Sequence, residues 1–169
     1  SGAEKRVLGA IAIYREPMPL EALSKHDIEA DLLDDLVEKG LARQADSENY
    51  DVHDLVREFL LRTLDTSTAT SLHAAACDWY RRRRNTPEQK LEYIFHLVNS
   101  GDTDSLGDVL DESGRELVEN GHMELLPLLQ DLEKDHFGPR TWASILEMRG
   151  DILSIQGRWD DAEKEYEEA

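Results

Sequence analysis

The chain has 169 residues, enough for one ordinary domain or two small ones with a packed apolar core. Its 37 acidic residues against 19 Lys and Arg give a formal net charge of −18, which disfavours non-specific attraction to nucleic acid or anionic lipid. The single cysteine, Cys77, excludes an internal disulfide and favours a reducing compartment, so we expect a cytoplasmic protein. No apolar stretch approaches the roughly 20 residues of a transmembrane helix, and we expect no membrane span.

The first third of the chain predicts the element order of a winged helix. Helical spacing and turn residues predict helices from about Glu4 to Tyr14, over Leu20–Ser24 and over 28–39, and strands over Leu41–Ala45 and Tyr50–Val52. Gly40 is expected to end the third helix, and residues 46–49 to turn the hairpin. Three helices and a short β-hairpin are the parts of a winged helix, which we assign to residues 1–65.

The third predicted helix has the wrong charge for reading DNA. Its apolar stripe is Ile28, Leu32, Leu33, Leu36 and Val37, and the surrounding acidic residues are Glu29, Asp31, Asp34, Asp35 and Glu38. Only Lys39 is positive on this helix. Since cations that neutralise phosphates supply most of the affinity for DNA, we expect this winged helix to contact protein, with nucleic acid an unlikely partner.

The remainder of the chain is predicted to be helical, so the fold class is mainly α. A helix over 53–64 is expected to turn inward the apolar residues Leu55, Val56, Phe59, Leu60 and Leu61. Helices over Thr66–Arg84 and from Pro87 to about Asn99 follow, and then shorter helices separated by Gly114 and by Asn120–Gly121. The pattern predicts antiparallel helical hairpins over residues 66–169.

The last hairpin has the spacing of a tetratricopeptide repeat. The residues at signature positions are Gly150, Gly157, Ala162, Tyr166 and Ala169. Gly150 and Ala162 allow two antiparallel helices to approach, Tyr166 fills the gap between them, and Gly157 begins the turn. One repeat cannot bury its own apolar face, so we expect the last repeat to be truncated and to continue in a longer parent chain.

Three segments together resemble the STAND class of signal-transduction NTPases, in its NB-ARC and maltose-regulator-like branches. They are Gly40–Leu41 before the wing, Tyr50–Leu60 and Leu72–Tyr80. The second is similar to the Met-His-Asp pattern of nucleotide-binding members, with Val52 in place of Met. The third is similar to the first repeat-region helices of the maltose-regulator-like branch. In this class a P-loop module precedes a winged helix and superhelical repeats.

The resemblance implies a nucleotide contact at His53. In such families the winged helix folds back on the P-loop module, and its His contacts the phosphates of bound ADP in the resting state. His53 would take that role, with Asp54 orienting it or capping the helix. From the residues alone, His53 equally well ends the wing while Asp51 or Asp54 caps the next helix. No glycine-rich loop with Lys-Ser/Thr is present, so ADP or ATP binding belongs to the parent protein and this fragment needs no cofactor.

Other residues give weaker indications of a site. Arg81–Arg84 could bind an anion or RNA, or could simply close a helix and pair with carboxylates. The histidines and Cys77 lack metal-ligand spacing, and no carboxylate pair suggests acid–base chemistry. The helical spacing of Trp79, Trp142 and Trp159 is more typical of core residues than of a binding groove.

These patterns together predict a non-enzymatic regulatory and protein-interaction fragment of a STAND-type ATPase. The winged helix is interpreted as a lever that responds to nucleotide state on the P-loop domain of the same parent chain. The repeats are interpreted as the surface for a protein or small-molecule ligand. Two alternatives stay open: a winged-helix DNA-binding transcriptional regulator with a helical-repeat interaction domain, and a free-standing tetratricopeptide adaptor.

Overall fold

The computed structural model describes residues 2–169, and 71% of them are helical. The chain divides into two compact units, unit 1 up to Arg83 and unit 2 from Arg84. Each unit is built mainly from α-helices, and unit 1 also contains a small antiparallel sheet. The mainly α fold class, a winged-helix type of unit followed by helical hairpins, is therefore confirmed.

Unit 1 contains five α-helices and three strands among its described residues. They are α1 (Gly2–Ala12), β1 (Met18–Pro19), α2 (Leu20–Leu23), a 3₁₀ turn (Ser24–His26), α3 (Ala30–Glu38), β2 (Arg43–Gln44), β3 (Asn49–Asp51), α4 (Asp54–Thr63) and α5 (Thr66–Tyr80). Its core is formed by the buried side of α1 with Leu23, Leu33 and Leu36, which are fully buried. Burying such side chains contributes roughly 1.5–3 kcal/mol each and fixes the helices around α1.

The predicted wing is present, and the sheet has a third strand that the sequence did not reveal. Strand β3 lies between β1 and β2 and is antiparallel to both, with Met18 opposite Tyr50 and Arg43 opposite Asp51. β1 has only two residues, one of them proline, so it is too short to show an alternating pattern. Its position before α2 completes the sheet of a winged helix.

Helix α3 ends where the sequence predicts. Gly40 adopts a left-handed conformation with φ 69°, and its N–H donates to the carbonyl of Val37. The N–H of Leu41 donates to the carbonyl of Leu36, which completes a Schellman ending. This turn directs the chain into the wing, which begins with β2.

Unit 2 is made of helices that follow one another through short turns. They are α6 (Pro87–Ser100), α7 (Thr103–Glu119), α8 (Leu125–Gln130), a 3₁₀ turn (Lys134–His136), α9 (Pro139–Ile155) and α10 (Trp159–Glu168). Thr86 and Gln89 form a capping box at the start of α6, with Pro87 in its first turn. The predicted break at Gly114 is wrong, because α7 continues through it. Gly114 instead lets Met148 of α9 approach, and an added Cβ would lie 3.2 Å from Met148 Cε.

The boundary between the two compact units lies at a different position in the sequence from the predicted domain boundary. The sequence places the boundary after Asp65, whereas unit 1 also includes α5, which packs on the Ser24–His26 turn and on α1. Helix α5 buries Leu72, Ala76 and Tyr80. The functional division into residues 1–65 and 66–169 stays a prediction.

Candidate functional site

The start of α4 is the place where the sequence predicts a nucleotide contact. His53 is the N-cap residue of α4, with extended backbone (φ −61°, ψ 145°), and its side chain makes no capping hydrogen bond. His53 and Asp54 are both exposed to solvent. The imidazole is thus not used to cap α4 and is accessible at the start of the helix.

Asp51, which precedes His53 by two residues, belongs to the interior of unit 1. It is 5% exposed, and Arg43 Nη2 donates to its Oδ2 at 2.7 Å while Arg57 donates to its Oδ1. Burial alone raises the pKa of Asp51, but hydrogen bonds from Arg43 and the Val52 N–H, with the charge of Arg57, hold it below its ordinary value. Asp51 is therefore an ionised, paired carboxylate, and its reading as the cap of α4 is wrong.

Arg57 connects α4 to two other segments of unit 1. Besides its ion pair with Asp51, its Nη1 donates to the carbonyl of Ala12 at 3.0 Å and to the carbonyl of Tyr14. Ala12 is the last residue of α1 and Tyr14 lies two residues later. The last carbonyls of a helix lack hydrogen-bond partners within the helix, and Arg57 supplies a donor there. The Asp51–Arg57 pair thus fixes the orientation of α4 relative to β3 and α1.

The apolar residues of α4 do not all face the core. Leu60 is 4% exposed as predicted, but Leu55 is 81% exposed, Phe59 65% and Leu61 46%, so the inward placement of these three is wrong. Five apolar residues within seven positions are too many for one face of a helix, and Arg57 occupies part of the inward side. Leu55 and Phe59 are four residues apart and lie on the same side of α4. We call this pair the outer face of α4. It starts in the first turn of the helix, close to His53 at the N-terminus of α4.

The surfaces that read DNA in other winged helices are acidic here. All five acidic residues flanking the apolar stripe of α3 are exposed. Lys39 Nζ lies 2.8 Å from Glu4 Oε1 and 2.9 Å from Asp35 Oδ2, and Arg43 of the wing is paired with Asp51. Lys39 at the end of α3 and Arg43 of β2 are thus already bonded to carboxylates, which leaves little positive potential for a phosphate backbone.

The residues of the repeat signature lie in the α9–α10 hairpin. Gly150 of α9 faces the ring of Tyr166 of α10, and a Cβ at Gly150 would lie 2.8 Å from Tyr166 Cδ1. Ala162 is 2% exposed in the same contact region, and Gly157 has φ 76° in the turn. Ala169, the fifth predicted residue, is exposed just after α10. The small residues allow close approach, and Tyr166 fills the space.

The outward side of the same hairpin is partly apolar. Ile155 is 61% exposed, Trp159 67% and Tyr166 43%, and a shallow cavity of about 420 Å³ runs between Trp159 and Tyr166. The expectation that all three tryptophans are core residues holds for Trp79 and Trp142, which are buried, and is wrong for Trp159. A tryptophan at the start of an outer helix has no neighbouring element to bury it, and helical spacing alone does not reveal this.

Other types of site find little support in residues 2–169. No group of three His, Cys, Asp or Glu side chains is placed to hold a metal ion in this range, and Cys77 is a buried thiol. None of the described helices is both long and apolar enough to cross a membrane. No P-loop fold occurs in the described part of the chain.

Comparisons with known proteins agree with this architecture. No family model and no curated protein matches the chain. A crystal structure from Pyrococcus horikoshii, of a signal transduction ATPase with numerous domains (STAND) with a tetratricopeptide repeat sensor, superposes on 98% of this chain with a TM-score of 0.75. The chain shares the fold of part of a STAND protein. Sequence identity is 20%, and the chain spans 25% of the length of that protein.

Proposed function

We propose that this chain is a non-catalytic regulatory and protein-interaction part of a STAND-type signalling ATPase. Unit 1 acts as the lever that responds to nucleotide state, and the repeats carry the surface at which a protein or small-molecule ligand shifts the population of states. ADP or ATP is held by a P-loop domain elsewhere in a cytoplasmic parent protein. The fold likeness to a STAND protein supports this proposal.

The observation that carries the proposal is the outer face of α4 beside His53. An exposed Leu and Phe one helical turn apart favour contact with another protein surface. The imidazole of His53 and the first backbone N–H groups of α4 suit a phosphate oxygen next to that surface. We therefore assign the outer face of α4 to the P-loop domain of the same parent chain.

The DNA-binding alternative predicts a different electrostatic surface. The exposed acidic residues of α3 and the internal pairing of Lys39 and Arg43 oppose a phosphate backbone. Fluorescence anisotropy with duplex DNA at low salt should show no salt-sensitive binding. Appreciable binding that weakens as salt is added would favour the transcriptional regulator over the proposed function.

The first test uses the native parent protein purified from its source cells. Its intact mass should exceed that of this chain by at least roughly one domain of 100–200 residues, and denaturation should release ADP that chromatography identifies. A parent no larger than this chain, or one without bound nucleotide, would contradict the proposal and favour a free-standing adaptor.

The second test asks whether α4 contacts that nucleotide and its domain. In the parent protein, His53→Ala should speed ADP release about tenfold, because one charge-assisted hydrogen bond to phosphate contributes roughly that factor. His136→Ala removes another exposed imidazole and should leave release unchanged.

The proposed apolar contact between the outer face of α4 and the P-loop domain is tested with two single variants, each of which places a carboxylate on a different side of α4. Phe59→Asp places a carboxylate on the outer face of α4 and should speed ADP release, whereas Leu61→Asp places the same charge away from that face. Equal release rates for these two variants would argue against docking through the outer face of α4.

A further inference from the structure

Unit 1 carries a basic groove on a strongly acidic chain. A cavity of about 660 Å³ opens where α5 ends, lined by Lys25 of the Ser24–His26 turn and by Asp78, Arg81, Arg82 and Arg83. Four cationic side chains and one carboxylate line it, within a chain of net charge −18. We call this site the α5 groove; the proposed nucleotide response of α4 does not involve it.

The cations of the α5 groove differ in how far the fold uses them. Arg83 is committed, since its Nη2 lies 3.0 Å from Glu21 Oε1 and its guanidinium stacks 3.7 Å from the centre of the Trp79 ring. Arg81 Nη1 is 3.5 Å from Asp78 Oδ1, an exposed contact one helical turn away. Such an exposed pair contributes little and exchanges readily with another anion.

Lys25 and Arg82 have no ion-pair partner in residues 2–169. Both are exposed, and both line the α5 groove. Grouping cations without carboxylate partners costs free energy through mutual repulsion, which a bound anion would relieve. Two cations without an ion-pair partner, beside Arg81 in the same groove, are the composition of a site for an anion.

The dimensions and surroundings of the α5 groove favour a compact anion. Its volume lies within the range of small-molecule sites, roughly 300–1,000 Å³. A guanidinium fork matches the paired oxygens of a phosphate, and Arg81 and Arg82 supply two of them. A long nucleic acid would extend onto the acidic surface outside the groove, where repulsion acts over about the 10 Å Debye length.

We propose that the α5 groove binds a compact phosphorylated small molecule that carries at least two negative charges. Arg81, Arg82 and Lys25 contact its phosphate oxygens, and Arg83 is held in position by Glu21 and Trp79. The carboxylate of Asp78 turns away from Arg81 when the anion binds, because the two acceptors compete for one guanidinium. The ligand is recognised by charge density rather than by an apolar pocket.

The test is titration calorimetry of this 169-residue chain with inorganic tripolyphosphate at two salt concentrations. Lys25→Gln with Arg82→Gln removes the two uncommitted cations and should weaken binding about tenfold or more, because each charge-assisted hydrogen bond contributes roughly a factor of ten. Lys134→Gln with Arg140→Gln removes the same charge from exposed positions of unit 2 and should leave the affinity within about twofold. Far-UV circular dichroism verifies that both double variants fold.

Three outcomes would overturn the proposal. They are no binding of tripolyphosphate to the unchanged chain, an equal loss of affinity in the two double variants, and tighter binding of an octaglutamate peptide than of tripolyphosphate. The second outcome would indicate a general effect of net charge. The third would assign the α5 groove to an acidic protein segment instead.

Discussion

Helix α4 and the α9–α10 hairpin are held in place by different interactions. The orientation of α4 depends on the Asp51–Arg57 pair, and much of its apolar surface stays outside. The hairpin depends on the fit of the Tyr166 ring against Gly150 and on the buried Ala162, which is a matter of shape. Packing of this kind follows from residue size and spacing, whereas a buried ion pair depends on residues that the fold brings together. The packing of the α9–α10 hairpin was therefore easier to infer from the sequence than the ion pair that holds α4.

The largest expected effect comes from removing Arg57. Arg57→Ala leaves Asp51 buried with only the half-exposed Arg43 and should lower the free energy of unfolding of unit 1 by about 3 kcal/mol. Arg62→Ala, on the same helix, removes only an exposed pair with Glu58 and should change stability by less than about 0.5 kcal/mol. Urea denaturation of the two variants measures both values. A similar small loss for Arg57→Ala would mean that packing alone holds α4.

The second expected effect is a loss of stability in acid, centred on unit 1. Burial lowers the pKa of His26 and of His73 to about 4 from an ordinary value near 6.5. Because the folded state binds fewer protons, the stabilisation is complete above pH 6.5 and is lost as the pH falls from 6.5 through about 4. At pH 5.5, one unit below the ordinary pKa, the loss should be about 1 kcal/mol for each histidine.

Urea denaturation at pH 7.5, 5.5 and 4.5 measures this loss, and hydrogen exchange assigns it to a unit. Tyr14, just after α1, has its hydroxyl 2.9 Å from His26 Nε2. The amides of α1 should therefore lose protection as the pH falls, beyond any loss in α10. Titration of the assigned His26 and His73 resonances near 6.5 in the folded protein would contradict the expected buried, neutral state.

The smallest expected effect concerns the α9–α10 hairpin, where the change in stability caused by Gly150→Ala should reverse its sign when the Tyr166 ring is removed. Gly150→Ala gains about 1 kcal/mol of helix propensity, but its Cβ overlaps the Tyr166 ring, so the net change should be a loss of about 1 kcal/mol. In a Tyr166→Ala background the overlap is absent, and the same substitution should stabilise α9. Thermal unfolding of the four proteins of this cycle gives the coupling. Additive effects would show that the ring moves aside without cost.

The sequence predicted those features that depend on local chemistry. The end of α3 at Gly40, the start of α6 at Pro87 and the close contact of Gly150 are properties of nearby residues or of a fixed spacing. Glycine at 114 was misread as a break, because only the position of Met148 reveals that the missing Cβ serves helix packing. Local signals cannot separate these two uses of glycine.

The sequence predicted the position of the candidate site, but not which side chains around it are buried and which are exposed. His53 was located at the start of α4, where the structure also has it, whereas its proposed contact with phosphate is still to be tested. The exposed Leu55 and Phe59 were missed because Arg57 takes an inward position that only the location of Asp51 explains. The sequence did contain a signal for this arrangement. Asp51 and Arg57 are oppositely charged and six positions apart, and they lie beside an apolar run too wide for one helix face.

The hydrogen bonds of Arg57 determine which segments of unit 1 travel together. One guanidinium joins α4 to β3 and to the carbonyls of Ala12 and Tyr14, and β3 is in turn bonded to β1 and β2. We therefore expect a force applied to α4 to be transmitted through Arg57 to β3 and the strands paired with it. Phe59 and the turn between β2 and β3 are thus linked through Arg57, Asp51 and the β2–β3 pairing.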